Sequence, residues 1–522
     1  MVSAKLRILL SLTIVLALCL SSVGALACTA IYVGSDLTED GSTMFARSED
    51  ISNSYNKVFY VSPAGNHAAG EAYSGCYGFT YTFTHDSYGY TAFSDDNGDG
   101  VGGVCPDCGG THEHTPYQAA GTNEMGVTVS ATETIGGTEA VEGVDPFEDA
   151  GIEEAEIVTV LLSEAATAQE GVELLLSIYD DAGCNGGSGL FIADQNETWY
   201  IENVTGHQYI ALKLSSSMAF AQPNMAIIGL IDLDDTENVI ASENLIAVAQ
   251  EAGSYVGDAE ANTIDYVASY CSDQTANSRM VSALAYFNAE TASEEPAAAD
   301  YTISNVDAEG NIVPMYTNIT LDHAYSIADV VGYYDIDGIA SSRNLETHIF
   351  QIFPEDGATD TVEWVSMDNA GWSPFVPYYP MLTTDTYEGY QLSTEEAVFT
   401  EEEPADADIY YATTTTVRTE EGRETVEGFR ALPANWADSM YWTFDALSNL
   451  VEFGNLSDEQ IAEIDAQIAN MQQQCYDAYA QMQTAVAEAE SDEAAAEAVT
   501  AISAGAAQTV HAAAVELVNA VK

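Results

Sequence analysis

The chain has 522 residues, 47% of them hydrophobic, which is enough for a sizeable core and excludes a wholly disordered protein. Against 83 Asp and Glu stand only 11 Lys and Arg, a formal net charge of -72, so nucleic acid and anionic lipid are repelled and nucleic-acid binding is excluded. Charged residues are only 18% of the total, so the acidity arises from missing Lys and Arg and suits salty or acidic surroundings.

The first 27 residues, MVSAKLRILLSLTIVLALCLSSVGALA, read as a signal peptide. Lys5 and Arg7 form a basic start, Ile8 to Leu20 an apolar run, and Ala25 and Ala27 the small residues of a cleavage site. The apolar run is shorter than the roughly 20 residues a membrane span needs. The expectation is an exported protein, secreted or held at the cell surface, with no integral membrane span, whose mature chain begins at Cys28.

A cysteine that becomes the amino terminus carries a thiol and a free α-amine together, and two uses of it compete. In a lipoprotein Cys28 would be acylated and would anchor a non-enzymatic binding protein; such signals place Leu three positions earlier, where this chain has Ala25. In a hydrolase the thiolate attacks a carbonyl while the α-amine, with a reference pKa of about 7.7–8.0, accepts the proton. An ordinary structural cysteine is the third option.

The segment after Cys28 predicts a strand at Thr29–Val33, a turn containing Glu39, Asp40 and Gly41, and a return strand at Ser42–Ala46, bringing Arg47 and Asp50 back towards Cys28. Here the chain carries Cys28-Thr29-Ala30-Ile31, Asp40-Gly41-Ser42-Thr43-Met44 and Ala46-Arg47-Ser48-Glu49-Asp50. These residues resemble the opening of the dipeptidase family of cysteine-type N-terminal nucleophile hydrolases, which are related to penicillin V acylases and conjugated bile-acid hydrolases. The resemblance continues at Thr122–Val127, Gly189–His207, Ala221–Asn224, Glu346–Gln351 and Phe375–Pro380. It implies an α+β fold, a four-layer αββα sandwich, with the catalytic domain over residues 28–450.

Between about 63 and 118 lies an insert rich in Gly, Tyr and Asp. It holds Cys76, Cys105, Cys108, His112 and His114, a set open to zinc or to disulfides. Asp95, Asn97, Asp99 and Gly100 open a calcium-loop pattern, but Pro106 stands where its last carboxylate should be, and no metal or cofactor is assigned. Without Cys19 and Cys28, six cysteines remain, Cys76, Cys105, Cys108, Cys184, Cys271 and Cys475, an even number that permits three disulfides. Further on, helical spacing runs from Glu154 to Tyr179 and strand hairpins from Leu190 to Leu214. Residues 451–522 read as a helical appendage, opened by a Ser457 cap with Gln460 in the capping-box position.

The chemistry can be read onto individual residues. Arg47 supplies the cation that favours a thiolate at Cys28, and Asp50 would orient the α-amine. The resemblance implies Asn224 as an oxyanion donor, where an Asn after Pro also suits an ordinary turn, and Asn123 is a substrate-binding candidate that could instead cap its turn. The resemblance also implies a later arginine near the pocket, for which Arg279 is the best-placed candidate, with Arg343 behind it. His348 sits in an apolar run and reads as a core residue, and His207 closes a hairpin. The resemblance implies hydrolysis of dipeptide amide bonds through Cys28 and a thioester, with small peptides as substrates. Acyl-amide hydrolysis of the penicillin V or bile-salt type is the enzymatic alternative, and a homo-oligomer is left open. The acidic surface predicts a melting temperature that rises between 0.1 and 1 M NaCl, as the Debye length falls from about 10 to 3 Å. A differential scanning fluorimetry series over that range checks it, and a flat profile would refute it.

Overall fold

The computed structural model describes residues 28–50, 56–75, 78–96, 117–133, 135–271, 277–287, 305, 312–316, 319–354, 357–392, 397–419 and 422–522. The signal-peptide and cleavage-site reading of residues 1–27 lies outside them. So do Cys76, Cys105, Cys108, His112, His114, Asn97, Asp99 and Gly100 of the insert.

The predicted hairpin opens the described chain, as β1 (Thr29–Val33) and β2 (Thr43–Asp50). Its turn is set by Gly41 at a φ of 77°, a conformation that a side chain disfavours. Asp40 braces it by accepting from the Ser42 amide at 3.0 Å and hydroxyl at 2.6 Å. The return strand, expected to end at Ala46, continues to Asp50 because it is paired on both sides: Thr29 lies opposite Ser48, and Asn344 opposite Asp50. Arg47 and Asp50 therefore stand in the sheet rather than beyond it.

In chain order the other strands of the two large sheets are β3 (Lys57–Ser62), β4 (Tyr90–Asp95), β5 (Gln118–Thr122), β6 (Thr128–Glu133), β7 (Ser188–Ala193), β8 (Thr198–Asn203) and β9 (Tyr209–Lys213). They are followed by β10 (Ala219–Gln222), β11 (Val239–Ala241), β12 (Asn344–Ile352), β13 (Thr361–Met367) and β14 (Val376–Tyr378). One sheet has the order β10-β1-β2-β12-β13-β14 and the other β11-β9-β8-β7-β6-β5-β4-β3. Both are antiparallel throughout.

Strand periodicity then sorts the side chains by face. Ala30, Tyr32, Phe45, Phe220 and Phe350 of the six-stranded sheet meet Phe93, Phe191 and Tyr200 of the eight-stranded sheet in one apolar cluster. Phe191 is at its centre, with ring centroids 5.0 Å from Phe45, 5.1 Å from Tyr200 and 6.0 Å from Phe220. The alternate residues face outward and are covered too. Val129, Ile192 and Ile201 pack under α1 (Glu154–Glu164) and α2 (Ala168–Ala182). Ile31, Ala46, Ile349 and Trp364 pack under residues of α3 (Ser278–Phe287), α4 (Ile327–Tyr333) and the C-terminal helices.

The single helical run expected over Glu154–Tyr179 is two helices. Ala165 is extended, and the Thr167 hydroxyl caps α2 by accepting from the Glu170 amide at 3.1 Å. At the C terminus the chain forms α5 (Met440–Phe453), α6 (Asp458–Glu488) and α7 (Asp492–Val521), with the Ser457–Gln460 capping box in place. This segment is not an appendage. The boundary drawn at 450 falls inside α5, and Ile464, Met471, Cys475, Val510 and Val518 join the cluster between the sheets, while Met482 and Val499 join the one behind β1. By length and hydropathy α7 alone among the described helices could cross a membrane; a third of its most apolar window is buried inside the protein.

The cysteine arithmetic also changes. Cys28, Cys184, Cys271 and Cys475 are free thiols, so the three-disulfide arrangement does not form. The Cys184 sulfur instead lies 2.8 Å from Asn203 Nδ2 and 3.0 Å from the Thr205 carbonyl. Phe191→Ala should cost about 3–5 kcal/mol of unfolding free energy, because it empties the contact between the sheets; urea titration measures it.

Candidate active site

The site is built on strand register. Ala30 lies opposite Gln222 on one side of β1 and Arg47 on the other, and directly opposed residues in an antiparallel pair share a face. Asn224 comes two residues after Gln222, past the last paired position of that strand. Cys28 lies two residues from Ala30, so its side chain shares the face of Arg47.

Arg47 is 1% exposed and donates through Nη1 to Cys28 Sγ at 3.4 Å. Nη2 donates to the Ala119 carbonyl at 3.2 Å. Three carboxylates surround the same guanidinium, Glu154 at 3.5 Å, Glu346 at 3.7 Å and Glu49 at 4.0 Å. Next to it Lys57 Nζ contacts Glu49 at 2.8 Å and Asp95 at 2.6 Å and lies over the Tyr117 ring. Asp95, read from the sequence as the first residue of a calcium loop, is thus the partner of a buried lysine.

Burial pushes the Cys28 thiol up to about 11, against the pull of Arg47, with Glu154, Asp50 and Glu49 adding to the rise. With Ala27 ahead of it, the Cys28 nitrogen is a peptide nitrogen, and this thiol is protonated at neutral pH. His348 offers no base: it is fully buried, 2.7 Å from Ser130 Oγ and 2.9 Å from Glu346, and burial lowers its pKa. It is the core residue expected.

Arg279 works on the other face. Its Nη1 donates to the Cys28 carbonyl at 2.8 Å, Thr29 Oγ1 at 3.1 Å and Asp50 Oδ2 at 3.3 Å. Asp50 also accepts from Asn344 Nδ2; burial raises its pKa in spite of both donors. The Cys28 main chain is therefore clamped from one side of the sheet while its sulfur is polarised from the other. Arg343 is exposed and makes no such contact.

Asn224 follows Pro223 with a φ of 60°, a left-handed conformation that Asn tolerates better than most residues. It is 8% exposed, and neither Oδ1 nor Nδ2 has a hydrogen-bond partner. A buried polar group left unpaired costs about 1–3 kcal/mol, so the surrounding loop has to be held in place. Asn277 Nδ2 donates to the Pro223 carbonyl at 2.6 Å, and Glu202 accepts from the amides of Ile227 at 2.6 Å and Ile228 at 3.2 Å. Burial raises Glu202 to about 7 against these donors.

Asn123 is different. Its Nδ2 donates to the Leu162 and Ala165 carbonyls at 3.0 and 2.8 Å, and its Oδ1 accepts from Met125 and Val127. The side chain is engaged in the turn and in the end of α1, which supports the turn-capping alternative over substrate binding. Cys28, Arg47, Asp50 and Arg279 are brought together by direct contacts, while Asn224 follows the end of the strand paired with β1. Glu154, Tyr117, Lys57, Glu49, Glu346 and Asn344 complete the site and were not singled out from sequence, because one acid among 83 carries no mark of its position. Among the described residues no three His, Cys, Asp or Glu side chains are grouped so as to hold a metal ion.

The sequence profile of Peptidase family C69 matches residues 27–419. A probable dipeptidase B from Streptococcus pyogenes serotype M18 is 32% identical over 404 residues, 73% of this chain and 77% of the relative. A probable dipeptidase from Salmonella dublin is 29% identical over 379 residues, 68% and 81% of the two chains. Among solved structures, penicillin V acylase from Agrobacterium tumefaciens superposes at a TM-score of 0.30 and 15% identity over 67% of this chain and 85% of its own. The protein is a hydrolase of the peptidase class. It belongs to peptidase family C69.

In the chain still carrying residues ahead of Cys28, alkylation of that thiol should accelerate with pH towards a midpoint near 11, because burial favours the protonated form. Iodoacetamide labelling followed by peptide mass reads it at Cys28 alone. Arg47→Met should move the midpoint higher; one at or below the ordinary thiol value would contradict the electrostatics described.

Proposed function

We propose that the protein is an exported cysteine dipeptidase whose nucleophile is the Cys28 thiol, activated when residues 1–27 are removed. The observation that carries this reading is the Arg47 guanidinium 3.4 Å from Cys28 Sγ. The dipeptidase names of the relatives support the substrate class. Cleavage replaces the Cys28 amide by an α-amine, a base held on the same residue that Arg279 anchors by its carbonyl.

The amine takes the thiol proton as sulfur attacks the peptide carbonyl. Asn224 Nδ2 donates to the developing oxyanion and Arg47 offsets the negative charge. The amine then protonates the leaving amino group, giving a thioester between Cys28 and the first residue. Water, deprotonated by the same amine, attacks that thioester, releasing the free acid and returning the proton to sulfur. Asp50 orients the amine. The helix-covered pair of large sheets supports the four-layer αββα reading of the fold.

Intact mass and a dipeptide panel test the proposal on the mature chain. Cys28→Ala should abolish hydrolysis, and Asn224→Ala should lower kcat by about 10²–10³ with an unchanged melting temperature. A diacylglyceryl mass increment on Cys28, or an unmodified Cys28 terminus that cleaves no dipeptide, would overturn it.

A further inference from the structure

We propose that His348 is a positioning residue for the Cys28 thiolate: it holds the Glu346 carboxylate back from Arg47, so that the guanidinium keeps its charge for the sulfur. The inference rests on the reading of Cys28 as the nucleophile and adds the side chain that preserves its counter-charge.

Printed contacts aside from the sulfur's own lead to it in one unbroken line from the eight-stranded sheet. On β12, Glu346 and His348 are two residues apart and share a face, and His348 lies directly opposite Arg47 of β2. The His348 ring is fully buried, with the ring centroids of Phe93 and Phe350 at 5.5 and 5.2 Å. Its Nδ1 lies 3.1 and 2.9 Å from the two Glu346 oxygens, and its Nε2 lies 2.7 Å from Ser130 Oγ on β6. Burial favours the neutral ring, which has one proton to place. An ionised carboxylate can only accept, so that proton sits on Nδ1, and Nε2 accepts from the Ser130 hydroxyl.

The consequence falls on Arg47. Glu346 comes no nearer to Arg47 Nη2 than 3.7 Å, beyond hydrogen-bond distance, while Nη1 reaches Cys28 Sγ at 3.4 Å. Arg47 Nε is buried without a hydrogen-bond partner, an N–H that a released carboxylate would take. The two other acids around the guanidinium follow the same pattern. Glu49 is 4.0 Å from Arg47 but 2.8 Å from Lys57, and Glu154 is 3.5 Å from Arg47 but 2.5 Å from the Tyr117 phenol. Guanidinium charge is delocalised over three nitrogens, so a carboxylate that closes on Nη2 or Nε offsets the charge that Nη1 presents to the sulfur.

The experiment measures iodoacetamide labelling of Cys28 at one fixed pH in the full chain, with peptide mass as the readout. His348→Leu removes the donor to Glu346 at similar volume. His348→Asn keeps an N–H in the place of Nδ1, though it empties more space and also loses the Ser130 contact. Labelling in His348→Leu should slow by about tenfold, the effect of one pKa unit, while His348→Asn stays close to wild type. A purely packing role gives the opposite order, because the smaller Asn leaves the larger cavity. That order, equal effects in the two variants, or a wild-type rate in His348→Leu overturns the inference. In a Glu346→Gln background there is no charge to hold back, so His348→Leu should add no further slowing, and an undiminished effect there overturns it equally. Should His348→Leu not fold, the spectrum of ¹⁵N-histidine-labelled wild type, with His348 assigned through the Asn variant, should show a proton on Nδ1; an Nδ1 without one refutes the inference. Labelling needs no peptide substrate, so the two readings fail separately: absence of dipeptide cleavage by the matured wild type counts against the dipeptidase reading, and unaltered labelling against this one.

Discussion

A buried guanidinium organises this protein. Arg47 is placed mid-sheet with almost no access to water, and taking such a charge out of solvent is tolerated only with close counter-charges and satisfied donors. That demand draws in Glu49 from its own strand, Glu346 from the neighbouring one and Glu154 from a helix over the other sheet, while the Ala119 carbonyl takes one N–H. The two sheets are thereby registered by charge as well as by the aromatic cluster around Phe191. The thiol is a beneficiary of the same arrangement, since the cation that holds the layers together is the one that lowers the cost of ionising Cys28.

Division of labour across β1 follows from the two-residue period of a strand. Residues on one face, Cys28 and Ala30, see Arg47; the backbone and Thr29 on the other see Arg279 and Asp50. Polarisation of sulfur and anchoring of the main chain are therefore handled by different arginines that do not compete for one acceptor. In a sequence with so few basic residues, two of them converging on one cysteine mark that cysteine out from the other described thiols.

How far the sequence could be read depended on whether a feature was local. The β1–β2 hairpin, its Asp40-Gly41 turn and the Ser457 cap rest on short motifs and stand in the structure, and the hairpin is what sets Arg47 beside Cys28; Arg279, which no motif marks, reaches the same cysteine from a distant helix. The extension of β2 to Asp50 was not legible because it depends on β12, which arrives some 300 residues later. Asn123 was ambiguous between turn and site, since Asn suits both, and only the carbonyls of Leu162 and Ala165 show which use it has. The helical tail looked detachable because alanine stripes are weakly apolar; their small size is what lets α6 and α7 pack closely into two clusters at once. Glu154 looked like any acid in a first helical turn.

The packing of that tail bears on the timing of synthesis. The strand that follows Cys28 is made long before Tyr476, Tyr479, Met482 and Val499, which complete the layer behind it. Without those residues the cover that α3 and α4 give to Trp364 and its neighbours is incomplete, and so is one wall of the sheet that aligns Cys28 with Arg47. A chain stopped before α6 thus holds Cys28, Arg47, Asp50 and Arg279 without the whole layer that supports them.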